Sequence, residues 1–305
     1  MIRTRTPSAT LSRRRKSTAV AVAAGLSACA LAIAGCGGSS GSVIDPVAQA
    51  ATTSTGSPGY RMNITLQLSV PGSSTVITAT GTGSVDTRDR AGAMAFDMNF
   101  GNSPQIVQAL GGSTLHMEEI LKGLVVYVKM PPAIASKLPG GKAWMKIDLS
   151  KASSAAGIPG LSSLANNPAS SDPSQFLQYL RAVSGGVSKV GSDSVGGVQA
   201  THYRASIDLD RVPDVLPAAS RAAGKQATAA LEKATNLHQL PVDVWIDDQH
   251  LVRQLKMAFT SAATGGQSVR TAVALSIPQY GPQPVPQAPP AGQVTDLTSL
   301  LGASG

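Results

Sequence analysis

Two cysteines and four histidines are the residues of this chain best suited to covalent, acid-base or metal chemistry. Cys36 is the one whose setting is informative: Ile33-Ala34-Gly35 precede it and Gly37-Gly38-Ser39-Ser40-Gly41-Ser42 follow, which places a nucleophilic thiol where a lipid could be attached. His116, His202, His238 and His250 are far apart, and no H-x-x-x-H, Gly-x-Ser-x-Gly or Gly-rich phosphate loop accompanies them. Asp247-Asp248-Gln249-His250 is the one acid and histidine cluster. It falls between two apolar segments, where a hairpin turn accounts for its residue types, and a metal or catalytic site there is a distant second reading. The expectation is a protein that is not an enzyme, with no cofactor, no metal and no catalytic residue.

The segment before Cys36 has the layout of a secretory signal. Arg3, Arg5, Arg13, Arg14, Arg15 and Lys16 form a basic head without an acid, and Ser17 to Ala34 is uncharged. A transmembrane helix is disfavoured, because the run is at the short limit for spanning and gives way to a Gly/Ser tether instead of a charged stop signal. Ile33-Ala34-Gly35-Cys36 resembles the lipobox of bacterial lipoprotein signals. By that resemblance Cys36 receives a thioether-linked diacylglyceryl group, cleavage falls after Gly35, and the mature protein is held on the extracytoplasmic face of the cell membrane, where two acyl chains anchor firmly. Leu26-Ser27-Ala28-Cys29 fits the same pattern, but cleavage there would leave Leu31 to Ile33 as an apolar stub beside the anchor. Ser12-Arg13-Arg14 hints at twin-arginine export, although Lys16-Ser17 follows where an apolar pair belongs.

Removing the head changes the charge argument. The 25 Lys and Arg become 19 against 17 Asp and Glu, a net of +2, and nucleic-acid binding loses its electrostatic basis. Neither cysteine lies beyond position 36, so the exported part must be held by its core without a disulfide. The sequence divides into a signal at 1–35, a tether at 36–44, one domain at 45–277 and a Pro-rich tail at 278–305. The tether, about nine residues, spans about 16 Å if flexible.

The domain reads as β. Tyr60, Met62, Ile64, Leu66, Leu68 and Val70 alternate with Arg61, Asn63, Thr65, Gln67 and Ser69, an apolar and a polar face over eleven residues. Further strands are expected at Val76–Val85, Met94–Met98, Leu115–Ile120, Leu124–Met130, Ala143–Leu149, Val187–Val190, Val198–Leu209, Val242–Asp247, Leu251–Phe259 and Val269–Ile277, with turns at Pro71-Gly72-Ser73 and Arg88–Arg90. Brief connections favour an antiparallel meander of about eleven strands. Helices are expected after Asp45-Pro46, after Asp172-Pro173 with Phe176, Leu177 and Leu180 on one stripe, and over Asp214–Thr235, interrupted by Pro217 and Gly224.

Such a sheet either curls into a filled core or curves around a cavity that short, Ala-rich helices roof incompletely. A Met or Leu stripe is ordinarily plain core, but Met62, Met94, Met98, Met130, Met145 and Met257 also suit a pocket that repacks around variable ligands. The apolar phases supply the cavity candidates Ile64, Leu66, Met94, Phe96, Val126, Met145, Ile147, Val244, Ile246, Leu255, Met257 and Phe259. For any one of them alone, core packing is the more ordinary role. Trp144 and Trp245 fall on the polar phases, where packing of the opposite face against a helix or loop is preferred to a lid over a lipid headgroup. Arg61, Lys129, Lys146, Arg253 and Lys256 are cations that could meet an anionic headgroup or serve as ordinary solvated positions.

The motifs Ala143-Trp144-Met145-Lys146-Ile147-Asp148-Leu149, Asp172-Pro173 with Leu177, Val195-Gly196-Gly197, Thr201-His202-Tyr203 and Pro241-Val242-Asp243-Val244-Trp245-Ile246-Asp247 with Leu251-Val252-Arg253 occur in that order. Together with the lipobox they resemble the LppX and LprG type of actinobacterial lipoproteins. The resemblance implies a mainly β (α+β) fold like LolA, a curved antiparallel half-barrel with short helices across its concave face. It also implies binding of lipid or glycolipid acyl chains, with carriage across the envelope in some members. A sensory lipoprotein that binds an envelope protein partner and carries no cargo is the alternative.

Overall fold

The computed structural model describes residues 45–70, 76–101, 108, 112–136, 140–148, 174–184, 186–262 and 268–298. The basic head, Cys29, Cys36, the tether, the Pro71-Gly72-Ser73 turn, Leu149, the loop from Ser153 to Ser171 and the Asp172-Pro173 cap lie outside the described residues.

Strand alternation builds one twelve-stranded sheet. Its strands are β1 (Gly59–Ser69), β2 (Val76–Asp86), β3 (Ala91–Asn99), β4 (Thr114–Lys122), β5 (Val125–Lys129), β6 (Trp144–Asp148), β7 (Ser188–Val195), β8 (Val198–Asp208), β9 (Gln239–Asp247), β10 (Val252–Ala262), β11 (Ser268–Tyr280) and β12 (Val294–Asp296). The spatial order β12-β6-β5-β4-β3-β2-β1-β11-β10-β9-β8-β7 leaves the sheet open and curved, two meanders joined where β1 pairs with β11. All pairings are antiparallel except β12 on β6. That parallel strand is the one beyond the expected eleven. It comes from the Pro-rich segment, where three residues are too few to show a period, and Lys146 Nζ meets Asp296 Oδ2 at 2.8 Å to hold it.

Turns form where short polar side chains satisfy the backbone. Asp86 Oδ1 accepts from the Arg88 and Asp89 N–H groups, each at 3.0 Å, and Arg90 takes φ +49° to close the β2–β3 hairpin. Asp247 does the same between β9 and β10: its Oδ1 accepts from Gln249 and Leu251 N–H, its Oδ2 accepts from Arg253 Nε at 2.6 Å, and His250 sits at φ +58°. The acid and histidine cluster at this point is thus a hairpin turn, as its residue types implied.

Four of the helices serve one face. Asp45 caps α1 (Pro46–Thr55), its carboxylate accepting from Val47 N–H at 2.8 Å, and Val47, Ala50 and Ala51 are fully buried. Between β5 and β6 lies a single turn, α2 (Pro132–Ala135), that periodicity did not indicate. Leu177 and Leu180, from α3 (Ser174–Tyr179) and the 3₁₀ turn after it, are also fully buried. α4 (Val212–Val215) and α5 (Arg221–Thr235) break at Pro217 as expected, but Gly224 breaks nothing. It lies within α5, and a Cβ there would collide with the Leu216 side chain, so this glycine is a packing notch. α1, α3, α4 and α5 join Met62, Val242, Val244, Leu255, Leu275 and Ile277 in one core, where each fully buried aliphatic contributes about 1.5–3 kcal/mol.

Candidate functional site

Antiparallel pairing carries side-chain parity from strand to strand, so the register decides which residues share a face. Ile64 stands opposite Leu275 and Gly81; Gly81 stands opposite Phe96, Phe96 opposite Met117, Leu275 opposite Leu255, and Leu255 opposite Val244. The next row runs Leu115, Met98, Ala79, Leu66, Val273, Met257 and Val242. On the other side of the Ile64 row lie Met145, Val128, Glu119, Met94, Gly83 and Met62, then Ile147, Val126, Leu121, Gly92, Val85 and Tyr60. Ile246 pairs with Val252 and Phe259 with Thr271 on this same face. All twelve cavity candidates therefore share the helix-bearing face.

Burial divides that face in two. Met94, Val126, Met145, Ile147, Val244, Ile246, Leu255 and Met257 are buried, whereas Ile64, Leu66, Phe96 and Phe259 are only part-buried. Leu68, Ile77, Met98, Leu115 and Met117 extend the part-buried region over β1 to β4. Ile64, Leu66, Phe96 and Phe259 pack against the core, so an apolar trough of part-buried side chains continues from it over the described strands. Two glycines flatten its floor: a Cβ at Gly81 would stand 2.7 Å from Phe96 Cδ1 and 2.8 Å from Ile64 Cγ2, and one at Gly83 would stand 2.7 Å from Met94 Cγ. The Phe96 and Ile64 side chains, and that of Met94, lie across positions where any larger residue would displace them.

One carboxylate interrupts the trough among the described residues. Glu119 stands directly opposite Met94 on β3 and Val128 on β5, and burial pushes its carboxyl up to about 7. Its sequence neighbour Glu118 points the other way and bonds Lys129 Nζ at 2.8 Å, which lowers its pKa. Sequence reading passed over Glu119 because two adjacent acids masked the alternation Leu115, Met117, Glu119, Leu121 that period two contains.

The outer face gathers the charges. Lys129 and Lys146 pair with Glu118 and Asp296, and Arg61 Nε donates to Gln283 Oε1 at 3.3 Å. Trp144 and Trp245 are on this face and nearly buried, with Lys129 Nζ 5.8 Å above the first ring and Lys256 Nζ 4.9 Å above the second. His202 stacks on Trp245 at 4.1 Å and 7°, and Asp193 Oδ2 accepts from the indole N–H at 2.8 Å. Both indoles thus pack on the face opposite the apolar one, and strand side chains cover Trp245. A hollow of about 400 Å³ on the same side is lined by Thr65, Gln67, Asp243, Lys256, Ala258, Ala272 and Ala274. A separate exposed group that sequence did not suggest brings Asp210, Glu232 and His238 together, with ligating atoms within 4.8 Å of one another.

No protein-family model matches the chain. A curated relative from Streptomyces griseus, an uncharacterized 31.2 kDa protein, is 31% identical over 185 residues, covering 59% of this chain and 56% of the relative. The chain therefore spans a little over half the length of the curated relative it matches. Among solved structures it is similar to LprF from Mycobacterium bovis, at 13% identity and TM-score 0.40, with 79% of this chain and 94% of that chain covered. LppX from Mycobacterium tuberculosis aligns over 79% of this chain and 96% of its own at 13% identity and TM-score 0.38, and a LolA-superfamily protein from Nitrosomonas europaea over 79% and 93% at 7% identity and TM-score 0.27. Among the described residues no helix is long and apolar enough to cross a membrane.

Proposed function

We propose that the protein is an envelope lipoprotein, anchored through a diacylglyceryl group on Cys36, that takes the acyl chains of a lipid or glycolipid into the trough on the helix-bearing face and carries them across the envelope. The observation that supports this reading is the burial gradient along single strands: Tyr60 and Met62 are buried, yet Ile64, Leu66 and Leu68 on the same face of β1 are not. Part-buried apolar side chains that adjoin the core offer a surface to hydrocarbon, and each acyl methylene moved onto them from water gains about 0.8 kcal/mol. Cargo carriage of this kind asks for a dry surface and a membrane tether, and for no covalent step on the cargo.

The test is organic extraction of the full-length protein purified from its native envelope, followed by mass spectrometry. Stoichiometric co-purifying lipid, reduced by Leu66→Asp, is the expected result. Repeatedly empty preparations that retain a protein partner would favour the sensory lipoprotein instead. Metabolic labelling with palmitate tests the anchor: label in the wild type and none in Cys36→Ala is expected, and label retained by Cys36→Ala rules out that site.

A further inference from the structure

Glu119 is the one charged side chain among the described residues of the part-buried trough, and no hydrogen bond or ion pair joins it to another described residue. What faces it is apolar: Met117 and Leu121 on its own strand, Met94 and Phe96 on β3, and Val126 and Val128 on β5. The nearby charges, Asp97, His116, Glu118 and Lys129, all belong to the outer face by register, so none of them titrates against Glu119 within the trough. Row by row, Glu119 sits where the buried Met94 position gives way to the part-buried Phe96 position.

We infer that Glu119 is the polar selector of this trough: when neutral it hydrogen-bonds an uncharged oxygen group of the ligand, an ester carbonyl or a hydroxyl, and when ionised it repels a free carboxylate. The inference rests on the lipid-binding reading above and narrows its ligand class to esterified or hydroxylated lipids, as against fatty acids. A neutral carboxyl offers one O–H donor and a carbonyl acceptor, which matches an ester or alcohol in a dry setting. Ionised, it keeps acceptors only, and placing its charge beside a hydrocarbon chain without a partner is unfavourable. Because burial brings the folded carboxyl to about 7, the donor form is abundant at neutral pH and is lost above it. Above about pH 7, where Glu119 is ionised, a fatty-acid carboxylate seated at the same spot would put two like charges together, which no described cation on this face relieves.

The experiment uses the full chain with Cys36→Ala, stripped of bound lipid, titrated by fluorescence with a parinaroyl monoglyceride and with parinaric acid. If the ester lipid needs the neutral carboxyl, its affinity for the otherwise unmodified protein falls by on the order of tenfold between about pH 6 and about pH 8.5. Glu119→Gln, which keeps a donor at every pH, is expected to remove that dependence, and Glu119→Leu to abolish the preference for ester over acid. Far-UV circular dichroism of each variant confirms folding. Binding with the same pH profile and the same ester-to-acid ratio in all three proteins overturns the selector role and leaves the lipid reading standing. Failure of every probe to bind any of the three overturns both.

Discussion

Glu118 and Glu119 are adjacent in β4 and have opposite electrostatics. Glu118, on the outer face, is drawn below its ordinary value by a hydrogen bond from Lys129; Glu119, on the helix-bearing face, is raised to about 7 by burial with no partner. The difference extends to the whole sheet. One face places lysines over indoles and pairs acids with bases, while the other collects aliphatic and thioether side chains under the helices and past their edge. Two environments this unlike, separated only by the thickness of a sheet, show how a pleated strand can supply both a hydrated exterior and a dry trough without an extra layer of structure.

The largest expected effect separates the closed part of the helix-bearing face from the open part. Leu255→Ala removes a fully buried side chain and should lower the unfolding free energy by about 2–5 kcal/mol, whereas Leu66→Ala in the trough should lower it by less than about 1.5 kcal/mol and yet weaken lipid binding. Urea denaturation of the two variants tests this, and equal losses would erase the distinction between core and trough. Next comes the trough floor. Gly81→Val forces Phe96 and Ile64 apart, so a stability loss of about 1–3 kcal/mol and a larger loss of lipid uptake are expected, read by thermal melting and by the extraction assay.

A smaller effect sharpens the contrast between faces. The Glu119 carboxyl titrates at its ordinary 4.5 when unfolded and near 7 when folded, so its contribution is intact below about pH 4.5 and is lost as the pH rises through 7. Glu119→Gln should therefore melt higher than the wild type at about pH 8, by roughly 2–4 °C, with the advantage gone at about pH 4.5. The smallest effect belongs to the outer face. Lys146 first, and then Thr298, hold Asp296 down at about 2, so the hold of β12 on β6 is present above the ordinary carboxylate range and weakens as the pH falls through 2. Half-exposed as it is, the pair is worth no more than about 1 kcal/mol, and Asp296→Asn should change the melting temperature at neutral pH only slightly.

Much of this organisation is legible along the chain. Strict alternation from Tyr60 to Leu68, the Asp45-Pro46 cap and the Asp247 turn each depend on residues a few positions apart, so local rules suffice to place β1, α1 and the β9–β10 hairpin. The twelve apolar candidates share a face for the same reason, since period two is a local property. Other features are settled at a distance. Gly224 reads as a helix breaker until Leu216 is found packed against it, and Val294–Asp296 reads as tail until Lys146 and β6 supply its partner.

By itself the sequence determined the class of the fold, the alternation of the longer strands and the charge balance beyond the basic head, because these follow from spacing and composition. Only the tertiary structure decided where cover ends on the apolar face. It also decided that Glu119 faces apolar neighbours while Glu118 faces Lys129, because burial and desolvation depend on residues brought together from strands and helices far apart in the chain.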